Sequence, residues 1–474
     1  MTFNSYGFIF LFLPLVIGVF FIPGLRAWRT HALVLFSLVF YGFSGLVHVS
    51  ILIASIVWVY IITNMKSYLE SSLNVFIAIT VPISALIYFK YSGFIIAQFT
   101  GEGGQTHSFL TLYANVLLPA GISFFTFQLV TYSVDRYRRQ IDTPPTFWNF
   151  ALYISFFPQL IAGPIVRYHQ VKEALDNLLS YNANQRNFAE AISYLTLGLA
   201  LKVIMADSLG REIQPMLEAP GELPFFSAVY FLLAYSFQVY GDFFGYSLMA
   251  IGMGRIFGFQ LPMNFNRPFL APDPAAFWRN WHITLMTFFS DYIWTPLTVA
   301  AMRKSAVNKY GMMGDALITI IIPITFVFML SGLWHGASWA FVFWGLYQGI
   351  GVTFYRLVEK KWRRMPKLLQ RVITFVWFNL SWVLVAFDFE SGMQFTRSLL
   401  DPALQGSFGL PSAEAWMALF VCSLISIFVK FEALAEYVPR TRGVEIIYTS
   451  SLSVLFFVCL LYVHKSQTFL YFRF

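Results

Sequence analysis

Charge is what this sequence has least of. Of its 474 residues only 11% are Asp, Glu, Lys or Arg, against about 25% in a soluble domain, and the mean hydropathy is +0.65. That excludes a water-soluble globular fold, because so few polar groups cannot cover its surface. Cysteine is almost as scarce. Cys422 and Cys459 both fall inside apolar segments, and no His/Cys/Asp/Glu cluster has metal-ligand spacing, so neither a disulfide framework nor a metal site is implied. There is no Gly-rich phosphate loop and no Gly-x-Ser-x-Gly elbow, which disfavours a P-loop ATPase and an α/β-hydrolase. Repeat halves and acidic relay residues are also lacking, which counts against a secondary transporter.

What is present is long uncharged sequence punctuated by short basic loops. The net charge of +8 therefore reads as positive-inside orientation rather than as nucleic-acid binding. The chain is expected to be an all-α polytopic membrane protein. It should form a single membrane-embedded domain over 1–474, with roughly 10–12 transmembrane helices and re-entrant or broken helices around a central funnel. Residues 1–7 carry no basic group, so Phe8 to Ile22 reads as an uncleaved first span. A polar loop falls at 101–105. Residues 143–166 are uncharged but interrupted by Pro158, Gly163 and Pro164, the mark of an irregular element packed inside protein, since lipid does not tolerate such backbone. Asp273-Pro274 reads as a helix start, with Pro at the first helical position.

The longest informative run is 316 to 355, 40 residues without Asp, Glu, Lys or Arg. That suffices for two crossings. Arg303, Lys304 and Lys309 precede it, and the cluster from Lys360 to Arg371 follows it. Both read as cytoplasmic, so the run goes out and returns. His335 stands 20 positions after Asp315 and 21 before Arg356, about 30 Å of helix on either side. It is therefore expected near the extracytoplasmic turn. A buried ionisable group inside a membrane is a functional candidate, though a transmembrane histidine also serves simply to bond across a helix interface. If 335–355 is helical, Ser338 and Trp339 share its face, and Ser331 joins them if the helix extends back one turn.

Two other polar positions stand out. His282 lies beside Arg279 and Asn280 on a stretch that also carries Trp278 and Trp281; by spacing alone this is an interfacial helix. Asp242 interrupts an aromatic run. It can pair with Arg255 or Arg267, orient a catalytic group, or form a structural ion pair.

Taken together these residues resemble a family. The segments are Phe3-Asn4-Ser5, Phe10-Leu11-Phe12-Leu13-Pro14, Leu118 to Gln128, Phe157 to Tyr168, Asp242-Phe243 with Gly245-Tyr246-Ser247, and Asn264 to Pro268. The most specific are Phe277 to Leu285 and Leu330 to Gly336. The chain is similar to the membrane-bound O-acyltransferases, especially the bacterial branch of alginate O-acetylation proteins and D-alanyl-lipoteichoic-acid transferases. The resemblance implies an acyltransferase in the bacterial inner membrane, with His335 as catalytic histidine and His282 as a second functional position. Candidate substrate-positioning residues are Asn280, Arg279, Asp242, Ser331, Trp334 and Arg167. It implies no bound cofactor. The donor would be acetyl-CoA or another acyl thioester, including an acyl carrier. The acceptor would be a polysaccharide hydroxyl or a periplasmic relay acetyltransferase. D-alanyl transfer from a carrier protein, transport, and a non-catalytic role in an export complex are the competing readings. Two departures accompany the likeness: Ser290 where the family often has Arg, and Thr295 to Arg303 in place of its Gly-Gly-Asn-Arg-like loop.

Overall fold

The computed structural model describes residues 1–100, 118–308, 311–401, 408–439 and 441–470. The polar loop at 101–105 and Lys309 lie outside them. The described residues contain helices and connecting segments but no β-strand. Among the described residues, six helices are long and apolar enough to cross a membrane: Leu46–Thr63, Ser72–Phe99, Gln185–Glu218, Met313–His335, Lys367–Ala386 and Arg442–Val463. A seventh arises if Gly7–Phe21 and Pro23–Gly42, bent by 101°, count as one broken span. Much of the remaining apolar sequence folds into shorter pieces such as Ala413–Phe428, which is why the number of apolar runs exceeds the number of full-length spans. Arg303 and Lys304 belong to the helix Thr295–Asn308 rather than to a loop.

The chain forms two compact units, residues 1–196 with 246–262, and 197–245 with 263–474. In the first, the stretch predicted to be irregular is exposed at its start, with Trp148 on the surface, but is buried continuously from Phe150 to Val166. One helical turn, Phe157–Leu160, is followed by irregular chain in which Ala162, Ile165 and Val166 are all buried. Gly121 (φ +74°) backs onto it so closely that a Cβ would stand 2.4 Å from the Leu160 carbonyl oxygen. Arg29, 2% exposed, ties this unit together. Its guanidinium donates to the carbonyls of Phe20 at 3.0 Å and Tyr181 at 2.6 Å.

The second unit is organised by a hairpin. The outgoing helix Ile322–His335 and the return helix Trp339–Trp362 are joined by only Gly336, Ala337 and Ser338. Glycines let them touch backbone to backbone: a Cβ at Gly332 would lie 2.1 Å from the Phe341 carbonyl oxygen, and one at Gly345 would lie 2.2 Å from that of Phe328. Lipid offers no hydrophobic drive for helix association, so close van der Waals packing through small residues supplies it. A side chain at either glycine must separate the helices. Gly345→Val is expected to destabilise the protein by more than about 3 kcal/mol, the upper range for overpacking. Gly18→Ala, where nothing stands within 4 Å, should be neutral. The temperature at which a maleimide first labels the fully buried Cys459 in detergent-solubilised protein measures both.

Candidate functional site

The outgoing helix ends on His335, and Gly336 leaves it in extended geometry (φ −153°, ψ 140°). His335 thus lies at the turn, as the spacing to the flanking charges requires. The helix does not continue through it, however. Ser338, in extended geometry, immediately precedes the return helix and Trp339 is exposed, so the face expected from a helical 335–355 does not form. Ser331 does stand one turn back on the same helix. It is 1% exposed, and its hydroxyl has no hydrogen-bond partner among the described residues.

Aromatic rings surround the imidazole instead. Trp334 is 4.8 Å from it and Trp344, on the return helix, 5.1 Å, each roughly perpendicular to it. Trp344 is itself fixed. Its indole N–H donates to Ser381 Oγ at 3.2 Å, which also receives the Gln348 amide at 2.8 Å and donates to the Phe378 carbonyl at 2.6 Å. This hydroxyl lies on another helix, far from His335 in sequence, and no local pattern marks it.

His282 faces His335 with ring centroids 6.4 Å apart. It is 0% exposed, so the interfacial-helix reading of this segment does not hold. The segment is a corner. Asp273 caps a first short helix, its carboxylate accepting from the Ala276 N–H at 2.6 Å, with Pro274 at the first position as expected. That helix stops at Asn280; His282 then adopts φ +46°, ψ 52°, and a second helix runs Ile283–Phe289. The left-handed region is uncommon for a residue with a Cβ and persists where surrounding bonds over-determine it. Those bonds come from the proline-punctuated stretch before it. The Asn264 carbonyl accepts the Ile283 N–H at 2.9 Å, the Asn280 carbonyl accepts the Asn266 N–H at 3.0 Å, and the Asn264 side-chain oxygen accepts from Thr284 Oγ1 at 2.7 Å. Phe243, 4.5 Å away and perpendicular, walls the other side of the imidazole. His282 lies outside the spanning helices, and burial first, then His335, hold its pKa well below the ordinary histidine range.

The remaining candidates scatter. Trp334 lies 5.9 Å from His282 and so touches both histidines. Asn280 spends its amide on the Ala276 carbonyl at 2.8 Å. Arg279 is exposed and lines a 470 Å³ cavity with Trp278, Ile283, Met286, Phe328 and Arg356. Trp278 connects that cavity to the site, since its ring is 5.8 Å from Trp344. Asp242 pairs with neither Arg255 nor Arg267; its carboxylate takes the Lys202 ammonium at 2.5 Å. Arg167 belongs to the other unit, ahead of the helix Tyr168–Asp176. Sequence reasoning passed over Asn264, Trp344, Ser381 and Arg356. Asn264 opens the segment Asn264 to Pro268, and its position between a methionine and an aromatic was the available signal.

Asn264→Ala removes the side-chain oxygen that accepts from the buried Thr284 hydroxyl at 2.7 Å and N–H at 3.3 Å. It should cost about 1–3 kcal/mol, read as a lower midpoint in the same maleimide assay, while Asn264→Asp, which keeps an acceptor oxygen, should lose less.

A peptidoglycan O-acetyltransferase of Helicobacter pylori is 33% identical over 441 residues, 84% of this chain and 80% of the relative. A "Probable alginate O-acetylase AlgI" of Pseudomonas aeruginosa is 32% identical over 81% of this chain and 72% of its own length. A teichoic acid D-alanyltransferase of Streptococcus thermophilus is 25% identical over 78% and 85%. The family model for membrane-bound O-acyltransferases matches residues 27–389, a span that contains both facing histidines, and the chain belongs to that family.

Proposed function

We propose that the protein moves an acetyl group from a cytoplasmic thioester to a hydroxyl on the far side of the membrane, carried by a polysaccharide or by a relay acetyltransferase. The observation that carries this reading is the facing pair of imidazoles. One ends a membrane-crossing helix at the turn, and the other is buried in a strained corner 6.4 Å away.

In the proposed reaction His335 takes the proton of the acceptor hydroxyl as its oxygen attacks the thioester carbonyl. General-base assistance of this kind is typically worth about 10²–10⁴ in rate. The carbonyl electrons move to oxygen, and a neutral His282 is suited to donate a hydrogen bond to that oxyanion. Ser331, with its unpartnered hydroxyl, is a second available donor. When the intermediate collapses the C–S bond breaks and the His335 imidazolium returns its proton to the thiolate. The products are an ester and a free thiol.

The cavity beside Trp278 suits the donor. Its lining is apolar except at Arg279, Ser290, Thr287 and Arg356, and two guanidiniums at an apolar slot match a thioester arm that ends in phosphates. Arg356 lies twelve residues beyond Trp344 on the return helix, about 18 Å along its axis, a length of the order of a phosphopantetheine arm. Acetyl is preferred to D-alanyl because the relatives named as O-acetyltransferases or O-acetylases are the more similar ones, at 33% and 32% against 25%.

Membranes containing the protein should transfer radiolabel from acetyl-CoA to an extracted envelope polysaccharide. His335→Ala should reduce the rate by at least about 10²-fold while the protein remains membrane-inserted. Unchanged transfer by His335→Ala would remove the histidine from the mechanism. Label delivered only from a D-alanyl carrier thioester would replace acetyl with D-alanyl, and no transfer from either donor would favour a transport or scaffold role.

A further inference from the structure

Asp242 belongs to a buried ionic cluster that the proposed reaction leaves unused. The Lys202 ammonium donates to Asp207 Oδ1 at 2.7 Å and to Asp242 Oδ1 at 2.5 Å. The three side chains are 1%, 3% and 4% exposed. One cation between two carboxylates leaves an excess of buried negative charge, which survives only with further hydrogen bonds to the remaining lone pairs. Those bonds come from a segment more than 220 residues away in sequence. The Ser466 hydroxyl donates to Asp207 Oδ2 at 2.5 Å, and the Leu470 N–H donates to Asp242 Oδ2 at 2.8 Å. Between them Phe469 is buried at 1% exposure, its ring 4.6 Å from the Lys202 nitrogen. All four carboxylate oxygens are thus occupied, two by the lysine and two by this segment.

The cluster is also rigidly seated. On the helix Phe225–Ile256, a Cβ at Gly241 would meet Met205 Cε at 2.4 Å, and one at Gly245 would meet the Gly198 carbonyl oxygen at 2.6 Å. The residue after Asp242 on that helix is Phe243, the ring that walls His282. Whatever fixes Asp242 therefore fixes one side of the histidine pair.

We propose that Ser466–Leu470 is a positioning strap for the acyl-transfer site. By completing the Lys202–Asp207–Asp242 cluster it holds Phe243 against His282, and releasing it slows transfer. The coupling to transfer rests on the reading of His335 and His282 given above; the docking of the strap does not.

The test uses the full-length protein in detergent and two readouts. Trypsin release of the peptide following the exposed Lys465 reports docking, and acetyl transfer from acetyl-CoA gives kcat and the donor KM. Ser466→Ala removes one bond to a buried carboxylate, worth about tenfold or more. It should speed peptide release about tenfold and lower kcat by a similar factor, with donor KM within about twofold. Ser466→Thr, which keeps the hydroxyl, should restore both. In an Asp207→Asn background, where the excess charge is gone, the Ser466→Ala effect should shrink. This arm also decides the matter if Ser466→Ala alone does not fold. Faster release with unchanged kcat would overturn the coupling. Unchanged release, or an undiminished Ser466→Ala effect in Asp207→Asn, would overturn the strap. A His335→Ala protein that still transfers acetyl would overturn the reading of the site while leaving the release data intact.

Discussion

An imidazole in an apolar bundle has to be held from the side, because a helix running through lipid gives it nothing polar to lean on. The contact that makes this possible is the crossing of the outgoing and return helices at Gly332 and Gly345. It brings two backbones together within a few residues of His335, so the turn can be as short as Gly336-Ala337-Ser338. It also delivers Trp344, the neighbour of Gly345, to the face of His335. A wider crossing would move the tryptophan, the cavity beside Trp278 and the distance to His282 together. The histidine is fixed by van der Waals contact between main chains, and hydrogen bonds such as Trp344 to Ser381 refine what that contact sets up.

The sequence disclosed most about the parts governed by local chemistry. Counting from Asp315 and Arg356 put His335 at a turn because helical rise is fixed and charge is excluded from the span. Asp273-Pro274 announced a helix start because capping depends on adjacent residues. The prolines and glycine from Pro158 to Pro164 announced broken helix, because proline past the first turn of a helix removes a hydrogen bond and clashes with the turn before it; what remains is the single turn Phe157–Leu160. The sequence was least legible where backbone geometry depends on distant bonds. Nothing in Trp281-His282-Ile283 requires φ +46°, and three bonds reaching back to Asn264 and Asn266 enforce it. A continuous helix through this segment was a fair extrapolation of local propensity and was overridden by tertiary structure. Trp344, Ser381 and Arg356 escaped for the same reason, since their roles exist only once separate helices are side by side.

Asp242 shows how a correct signal can carry the wrong partner. A carboxylate in an aromatic run demands a cation, and Arg255 and Arg267 were the nearest arginines along the chain. Arg255 instead pairs with Glu190, and the cation for Asp242 is Lys202, 40 positions earlier. Proximity in sequence is a poor guide to charge pairing in a bundle, where the partner lies across a helix interface.

The buried cations share a logic that bears on the whole fold. Arg29 gathers carbonyl groups around residues 178–181, and Lys202 gathers two aspartates that in turn hold residues 466–470. Both fastened segments are short and irregular, without the repeating apolar face that would seat a helix. Apolar contact discriminates weakly where the surroundings are themselves apolar, so such a segment can slide or lift at little cost. A buried charge removes that freedom, because breaking one of its hydrogen bonds leaves a charged atom short of a partner, a penalty of about 1.5–3 kcal/mol. The ionic clusters therefore need add little net stability to matter. They make one register of an otherwise slippery segment much better than its neighbours, and in the second unit that register is transmitted, one residue along the helix, to the ring packed against His282.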